Sequence, residues 1–395
     1  MQNTHIVSPL VLPTLANPYP YYKDLLLGAL LPFDTHSNCW IASRAQVIQE
    51  VFESAHCVVR PVSELVPKNI VGSAAGDVFA HLVRMNEGEA HLPAKRVLQA
   101  SLRSVDFSSV GSDATFFAEQ LATIHAINTG SSLSSWMFEL PVHVVGKTLG
   151  FSAEELPDLA VWMADFVRCL SPLSNTQQLA DASLAAHKLQ VRFREMLQLS
   201  LANKESFLAR LQAEAKLVGW ENADAITANI IGLLSQTSEA SAGLIGNSLV
   251  VLQQQPALLA QIQNSPTRMN AFVEEVARYD SPVQNTRRFV REECTIAGQD
   301  LQGGDVILLL LAAANRDANL NPDPDTFTLH RVARKLFTFG HGHHACPGHE
   351  IALNIASQAI QSLLDFFEVE HWQSLRWTYR ASLNGRIPVF THTKE

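Results

Sequence analysis

The chain has 395 residues, of which 47% are hydrophobic and 17% charged, so it can bury a large core. Its net charge of −9 and its isoelectric point near 5.9 argue against nucleic acid as a partner. Five scattered cysteines are typical of a reducing compartment, and the longest apolar run, residues 306–314, is too short to span a membrane. We therefore expect a cytoplasmic protein without a signal peptide or a membrane anchor.

The N-terminal half of the chain predicts mainly helices. A short strand is expected over residues 40–43 and a loop over 61–90, and loops of that length often contact ligands. The periodicity of apolar residues predicts helices over residues 45–52, 116–124, 140–149 and 189–208.

A basic group begins another predicted helix. His91 and Lys95 are four residues apart and share one helical face, with Arg96 beside them. Taken alone, this trio is as typical of a solvated helix start as of a binding site.

A long buried helix is predicted over residues 223–254, where apolar residues recur at helical spacing. The polar stretch 235–241, SQTSEAS, interrupts it. Polar groups inside an apolar helix cost free energy unless they are hydrogen-bonded or line a wet cavity. The pattern therefore favours a functional patch, with a buried structural network as the alternative.

The C-terminal part alternates between helix, short strands and coil. Glu275 and Arg278 are three residues apart on a helix that ends by residues 280–282, and such pairs are common on solvated helices. Arg288 lies in an extended segment over 285–290. Short strands over 294–298 and 305–311, a coil, and a hairpin over 370–390 complete the prediction.

The decapeptide FGHGHHACPG, residues 339–348, carries the clearest chemical signal. Gly340 and Gly342 permit backbone angles that are closed to other residues, and Pro347 suits the first position of a following helix. Cys346 would then lie at a helix N-terminus, which stabilises a thiolate. Three interpretations compete: a buried cysteine in a turn, a zinc or copper site using the four neighbouring histidines, and a haem site.

The decapeptide resembles the haem-binding loop of the cytochrome P450 family. The matching residues are Phe339, Gly340, Gly342, His344, Cys346 and Gly348. The wider resemblance covers residues 17–390 and implies a mainly α fold with a small β region. It also implies one domain over residues 1–395 that holds one haem b between the long helix and the cysteine loop.

The resemblance implies a role for each matching residue. Cys346 would be the axial ligand of the haem iron, shielded by Phe339 and tuned by N–H groups up to Gly348. The haem propionates would be bound by His91, Lys95 (with Arg96 as a possible helper), Arg288 and His344. Glu275 and Arg278 would form a buried ion pair behind the haem, which Arg331 or His330 would complete because Thr326 replaces a common basic residue.

The long helix departs from the family pattern at the oxygen side of the haem. Glu239 matches the family's acid, which would feed protons, but Ala240 stands where threonine is usual and has no hydroxyl. Ser241 lies about 100° further round the helix and is a poor substitute, whereas Thr237 lies one turn earlier on the same face. A hydroxyl of the substrate is the other candidate.

The function that the resemblance implies is a bacterial monooxygenase of secondary metabolism that hydroxylates a small organic substrate with O2. Electrons would pass from NAD(P)H through a ferredoxin or flavodoxin and its reductase to a monomeric enzyme. Arg331, Arg334 and Lys335 are either plain surface charge or a docking patch for that acidic partner. Ala240 keeps open peroxide-driven oxidation, desaturation or oxidative coupling, and the histidines keep open a non-haem metal binder or ligand sensor.

Overall fold

The computed structural model describes residues 8–127, 129–263, 265–366 and 374–392. These residues form mainly helices, as the sequence predicts. The α-helices are α1 (Tyr19–Leu27), α2 (Ala45–Glu53), α3 (Ala74–His81), α4 (Leu92–Arg103), α5 (Phe107–His125), α6 (Gly130–Leu149), α7 (Leu156–Phe166), α8 (Thr176–Ser200), α9 (Phe207–Leu217), α10 (Ala223–Gln254), α11 (Leu259–Ile262), α12 (Pro266–Tyr279), α13 (Leu311–Asn315) and α14 (His349–Phe366).

The β structure is small and joins the two halves of the sequence. The strands are β1 (Phe33–Asp34), β2 (Cys39–Ala42), β3 (Cys57–Val58), β4 (Thr286–Val290), β5 (Cys294–Ile296), β6 (Gln299–Leu301), β7 (Val306–Leu309), β8 (Leu375–Tyr379) and β9 (Pro388–His392). Five of them form one sheet in the order β1-β2-β7-β4-β3, in which β2 and β7 are parallel. Two antiparallel pairs, β5-β6 and β8-β9, stand apart.

Helix α10 runs through the helical core and packs against α6, α3 and α14. Asn222 begins the helix, because its Oδ1 accepts the backbone N–H of Ala225 at 3.0 Å. Almost every residue from Ala225 to Leu252 is buried. The residues of this stretch that keep exposed surface fall in its middle: Leu233, Gln236, Thr237, Glu239 and Ala240.

The loop predicted over 61–90 contains helix α3. Several predicted boundaries also differ from the structure, and three of them differ most clearly. The helix predicted over 189–208 is two helices, because α8 ends at Ser200 and Ser206 caps α9 by accepting the Ala209 N–H at 3.2 Å. The strand predicted over 305–311 ends at Leu309, and a helix begins at Leu311. Helix α14 begins at His349, so Pro347 lies in the preceding turn. Residues 370–373 of the predicted hairpin lie outside the described residues.

Glu275 is the centre of a buried charge cluster. Its Oε1 and Oε2 atoms lie 2.7 Å and 3.1 Å from Arg278 Nη2 and Nε, and both side chains are 0% exposed. Arg331 Nε contacts Oε1 at 3.1 Å, and Arg334 Nε contacts Oε2 at 2.8 Å. Burial disfavours the ionised carboxylate, but the hydrogen bonds from Arg278, Arg334 and Arg331 hold the pKa of Glu275 below its usual range.

This cluster confirms the predicted ion pair and the part expected of Arg331. The prediction that Arg331 and Arg334 belong to a docking patch is wrong, because their side chains are only 6% and 8% exposed. Both guanidinium groups are used inside the fold and are not surface charges. His330 is exposed and plays no part in the cluster.

Among the described helices, none has both the length and the apolar character that crossing a bilayer requires.

We predict that Glu275→Gln lowers the free energy of unfolding by about 3–5 kcal/mol, because the buried guanidinium groups of Arg278 and Arg331 lose their counter-charge. Arg334 keeps a second pair, with Glu274. Urea denaturation measures this loss. Glu205→Gln is the matched control, since Glu205 forms an exposed pair with Arg210, and it should cost less than about 1 kcal/mol. Equal losses in the two variants would contradict the structural role of Glu275.

Candidate active site

The cysteine loop is a compact turn that a short hydrogen bond closes. The backbone N–H of Cys346 donates to Phe339 O at 2.7 Å, and residues Gly342–His344 form a short 3-10 helix. Gly340 has a φ of +72°, and a Cβ there would lie 3.1 Å from His344 O. The turn therefore needs glycine at 340, as its place in the motif predicts.

The thiol of Cys346 is surrounded by protein, yet the residue is exposed. A group with both properties lines a cavity and does not stand on an outer surface. Burial raises the pKa of the thiol, while the Gly348 N–H that it accepts and the nearby charge of Lys95 act in the opposite direction. We expected N–H groups in the first turn of the following helix to stabilise the thiolate. The Gly348 N–H that does so belongs to the turn before α14.

Helix α4 docks on this loop through its first turn. The Nδ1 and Nε2 atoms of His91 lie 2.9 Å from Val83 O and 3.2 Å from His343 O. Lys95 Nζ donates to Ala345 O, and burial lowers the pKa of this lysine. Arg96 lies on the exposed face of α4 and is not brought to the loop, because adjacent helical residues point about 100° apart.

A carboxylate already lies among the groups predicted to bind propionates. Glu87 Oε1 is 3.0 Å from His344 Nε2, Glu87 Oε2 is 3.3 Å from His343 Nε2, and the charge of Arg288 acts on the same carboxylate. Burial lowers the pKa of His344 to about 4. Glu87 was not identified from the sequence, where a single glutamate in a loop carries no signal.

The same three side chains are a possible metal cluster, since the ligand atoms of Glu87, His343 and His344 lie within 4.8 Å of one another. These three residues are where a metal ion would bind if the protein were a non-haem metal binder. His341 and His349 lie apart from it and pair with Glu53 at 3.1 Å and Glu350 at 3.9 Å.

Arg288 is buried and forms no ion pair with a carboxylate of the described residues, although the charge of Glu87 acts on it. It is 5% exposed, its guanidinium lies 4.7 Å from the centre of the Phe52 ring, and its Nη1 donates to Arg287 O at 2.8 Å. Burial lowers its pKa to about 10. A buried guanidinium in this state is suited to receive an anion.

The exposed middle of α10 forms the other wall. Gln236 is exposed, and Thr237 and Ala240 are half-buried on the same face. Gln236 Nε2 and Thr237 Oγ1 donate to the carbonyl groups one turn earlier, Gly232 O at 3.0 Å and Leu233 O at 2.7 Å. Ser241 is 1% exposed, so it is sealed from this face, in agreement with its expected unsuitability as a substitute for threonine.

Glu239 is held at the edge of this face. Its Oε1 lies 3.0 Å from Arg380 Nη1, and both side chains are 43% exposed. Arg380 also lies 5.5 Å from the centre of the Phe138 ring. Arg380 was not identified from the sequence, since nothing in a predicted C-terminal hairpin marks it as a partner of the long helix.

The site fits a haem on three observations. Cys346 offers an accessible thiol with a backbone donor, as a soft iron ligand requires. Arg288 is a buried cation without an ion pair among the described residues. The neighbouring histidines His343 and His344 already contact a carboxylate, the group that a propionate carries. The middle of α10 exposes a mixed polar and apolar face.

Comparisons with known proteins agree with this fit. A family model for cytochrome P450 matches residues 228–380. The biotin biosynthesis cytochrome P450 of Bacillus subtilis (strain 168) is 29% identical over 252 residues, 63% of either chain, so the match spans less than two thirds of that relative. A Xylella fastidiosa (strain 9a5c) protein named as cytochrome P450 133B1 is 25% identical over 383 residues, 94% of either chain.

Solved structures show the same fold. P450BioI in complex with hexadec-9Z-enoic acid ligated acyl carrier protein aligns over 95% of this chain and 97% of its own, with a TM-score of 0.81 and 22% identity. Epothilone B-bound cytochrome P450epoK aligns over 96% and 98%, with a TM-score of 0.83 and 17% identity.

The residues of the site thus fit a haem whose iron would be held by Cys346. Residues 228–380 match the cytochrome P450 family, and the described chain has the fold of the solved cytochrome P450 structures.

Proposed function

We propose that the protein is a haem-thiolate monooxygenase that inserts one oxygen atom of O2 into a small organic substrate, most simply as a hydroxyl group. The observation that carries the proposal is the Cys346 thiol, accessible in a cavity and hydrogen-bonded from its own turn. A relative named vitamin D(3) 25-hydroxylase, from Pseudonocardia autotrophica, supports it at 31% identity over 56% of this chain and 54% of its own.

On this proposal the bound haem b supplies the activation of O2, and the chain holds the haem. Cys346 Sγ would hold the haem iron, the Gly348 N–H would withdraw electron density from the sulfur, and Phe339 would shield it. Lys95 keeps Ala345 O in place and adds a positive charge beside the sulfur. The thiolate would donate electron density to the bound iron.

The propionates would be neutralised by Arg288, His344, His91 and Lys95. The buried guanidinium of Arg288, which forms no ion pair in the described residues, supports this part of the proposal most strongly. A propionate would compete with Glu87 for His344 Nε2, since that nitrogen already contacts a carboxylate oxygen at 3.0 Å. His91 would act mainly by holding the Cys346 loop against α4.

The proton path would start at Glu239, whose carboxylate oxygens exchange protons with solvent at the edge of the α10 face. Arg380 holds Oε1 at 3.0 Å and so orients the carboxylate. Ala240 contributes no hydroxyl. The Thr237 hydroxyl donates a hydrogen bond to Leu233 O. Its lone pairs remain available to accept a hydrogen bond from water or from a substrate hydroxyl.

We further propose that the electrons come from NAD(P)H through a separate ferredoxin or flavodoxin and its reductase. The enzyme would work as a monomer of one domain, residues 1–395, in the cytoplasm. Secondary metabolism is the broad setting, supported by fold neighbours such as the epothilone B-bound enzyme.

A second candidate keeps the haem and changes the reaction to peroxide-driven oxidation, desaturation or oxidative coupling. Ala240 motivates it, because the α10 face has no hydroxyl where the family pattern has one, and because Ser241 is sealed away.

The reduced, CO-bound absorption spectrum tests the proposed function. We predict a strongly red-shifted Soret band, because a thiolate ligand opposite CO produces it. Cys346→Ala should abolish that band, whereas Cys39→Ala, a substitution in β2, should leave it unchanged. An unshifted Soret band in the wild-type protein, or a shifted one that survives in Cys346→Ala, would refute thiolate ligation.

Arg288→Gln should weaken haem retention about 10-fold or more, because a buried charge-assisted hydrogen bond contributes ~1.5–3 kcal/mol. Transfer of haem to apomyoglobin measures the dissociation rate. Arg287→Gln is the control, since Arg287 is the exposed neighbour in β4. Similar rates for the two variants would remove Arg288 from the propionate site.

Ala240→Thr should raise the fraction of consumed electrons recovered in product and lower peroxide release, because it restores a hydroxyl on the α10 face. Both quantities are measured with O2 and electron donors on a substrate that turns over. No change in coupling would show that Thr237 or the substrate already supplies the hydroxyl. Wild-type turnover with H2O2 alone, as fast as with O2 and donors, would favour the second candidate.

A further inference from the structure

Arg84 occupies a rigid segment next to α10. It lies in the short 3-10 helix Val83–Met85. The Val83 N–H donates to Asn229 Oδ1 of α10 at 2.7 Å, and Asn229 Nδ2 donates to His81 O at 2.8 Å. Asn86 Nδ2 fastens the other end by donating to Leu82 O at 2.8 Å. The position of the Arg84 backbone is therefore fixed on both sides.

This segment approaches the part of α10 that forms the accessible face. Leu82 lies so close to Gly232 that a Cβ on Gly232 would come within 2.9 Å of Leu82 Cδ2. Gly232 is one helical turn before Gln236, the exposed residue of the buried helix. His91 connects Val83 O with the cysteine loop, so Arg84 belongs to the structure that joins α10 to Cys346.

The guanidinium of Arg84 has no counter-charge within reach. Its Nε is sealed from solvent and lacks a hydrogen-bond partner in the described residues. Nor does any carboxylate of residues 8–127, 129–263, 265–366 or 374–392 form an ion pair with it. Protein surrounds the group and burial lowers its pKa, although the residue keeps some accessible surface. Like Cys346, it lines a cavity.

Leaving an arginine buried and unpaired is unfavourable, since buried charges are ordinarily paired. The nearest acid that acts on it is Glu239, whose carboxylate is already held by Arg380 at 3.0 Å. The structure thus contains a fixed positive charge for which the described chain supplies no direct anionic partner.

The surroundings of Arg84 separate it from the propionate groups. The carboxylate whose charge acts on Arg84 is that of Glu239, at the edge of the α10 face. The groups that act on Glu87 are His344, His343 and Arg288. Arg84 therefore faces the α10 side of the cavity, where a substrate would lie, and not the cradle for the propionates.

We propose that Arg84 binds the carboxylate of the substrate, which makes the substrate an amphipathic organic acid. This inference rests on the proposed monooxygenase function and adds the substrate class. A carboxylate fits better than a phosphate ester, because one guanidinium neutralises one negative charge and the nearby Glu239 would repel a second. The planar guanidinium can bind both carboxylate oxygens at once.

The test compares matched acids and methyl esters, which differ in charge and little in size. Dodecanoic acid, 4-phenylbutanoic acid and decanoic acid are titrated against their methyl esters into the haem-loaded protein. Binding is followed by calorimetry and by the shift of the Soret band. We expect at least one acid to bind 10-fold or more tightly than its ester, as for a hydrogen bond to a charged group.

Arg84→Gln should abolish this preference by weakening the acid and leaving the ester unchanged, and Arg84→Lys should retain part of it. Arg103→Gln is the control, because Arg103 is an exposed arginine on α4. Thermal unfolding of each variant checks that it is folded.

The proposal is overturned if no acid binds better than its ester, if the preference survives in Arg84→Gln, or if dodecyl phosphate binds more tightly than dodecanoate. If one of these results is obtained and the CO-bound spectrum is red-shifted, the monooxygenase proposal stands. Only the proposal that Arg84 binds a substrate carboxylate is then rejected. An unshifted CO spectrum instead removes the proposed function, whatever the calorimetry shows.

Discussion

The site depends on one hydrogen-bonded turn that presents a sulfur atom inside the protein without covering it. The Cys346 N–H donates to Phe339 O at 2.7 Å, and the Gly348 N–H donates to the thiol from the other direction. A thiol left bare on an outer surface would be oxidised or solvated, and a thiol buried among apolar groups would be inert. The turn avoids both states, and the Lys95 contact with Ala345 O holds it against α4.

Charge is distributed around this sulfur in two different ways. Behind it, Glu275 and its three arginines form a closed cluster in which every charge has a partner, and this cluster braces α12 against the segment that leads to the cysteine loop. Arg288, which is buried, and Arg84, whose Nε is sealed from solvent, form no ion pair with a carboxylate of the described residues. Paired charges stabilise a fold, whereas unpaired buried ones cost free energy that a bound anion can recover. The first group is structural, and the second is suited to binding.

Much of this was predictable from the sequence, and the limits have physical causes. The FGHGHHACPG motif, the helix over 223–254 and the Glu275–Arg278 pair were identified because spacing along the chain determines which of these residues are neighbours. Arg331 and Arg334 were misjudged as surface charge, since their burial depends on Glu275, more than fifty residues earlier. Glu87, Arg84 and Arg380 were missed for the same reason: their partners lie on distant segments, and a single charged residue has no periodic signal. The break between α8 and α9 was missed because the apolar spacing continues across it.

The most direct test of the account is an experimental structure of the haem-loaded protein. The account predicts iron bound to Cys346 Sγ, propionates beside Arg288 and His344, and the Gln236–Ala240 face of α10 on the opposite side of the haem. A haem whose iron is bound by His343 or His344, or one located away from the α10 face, would contradict it.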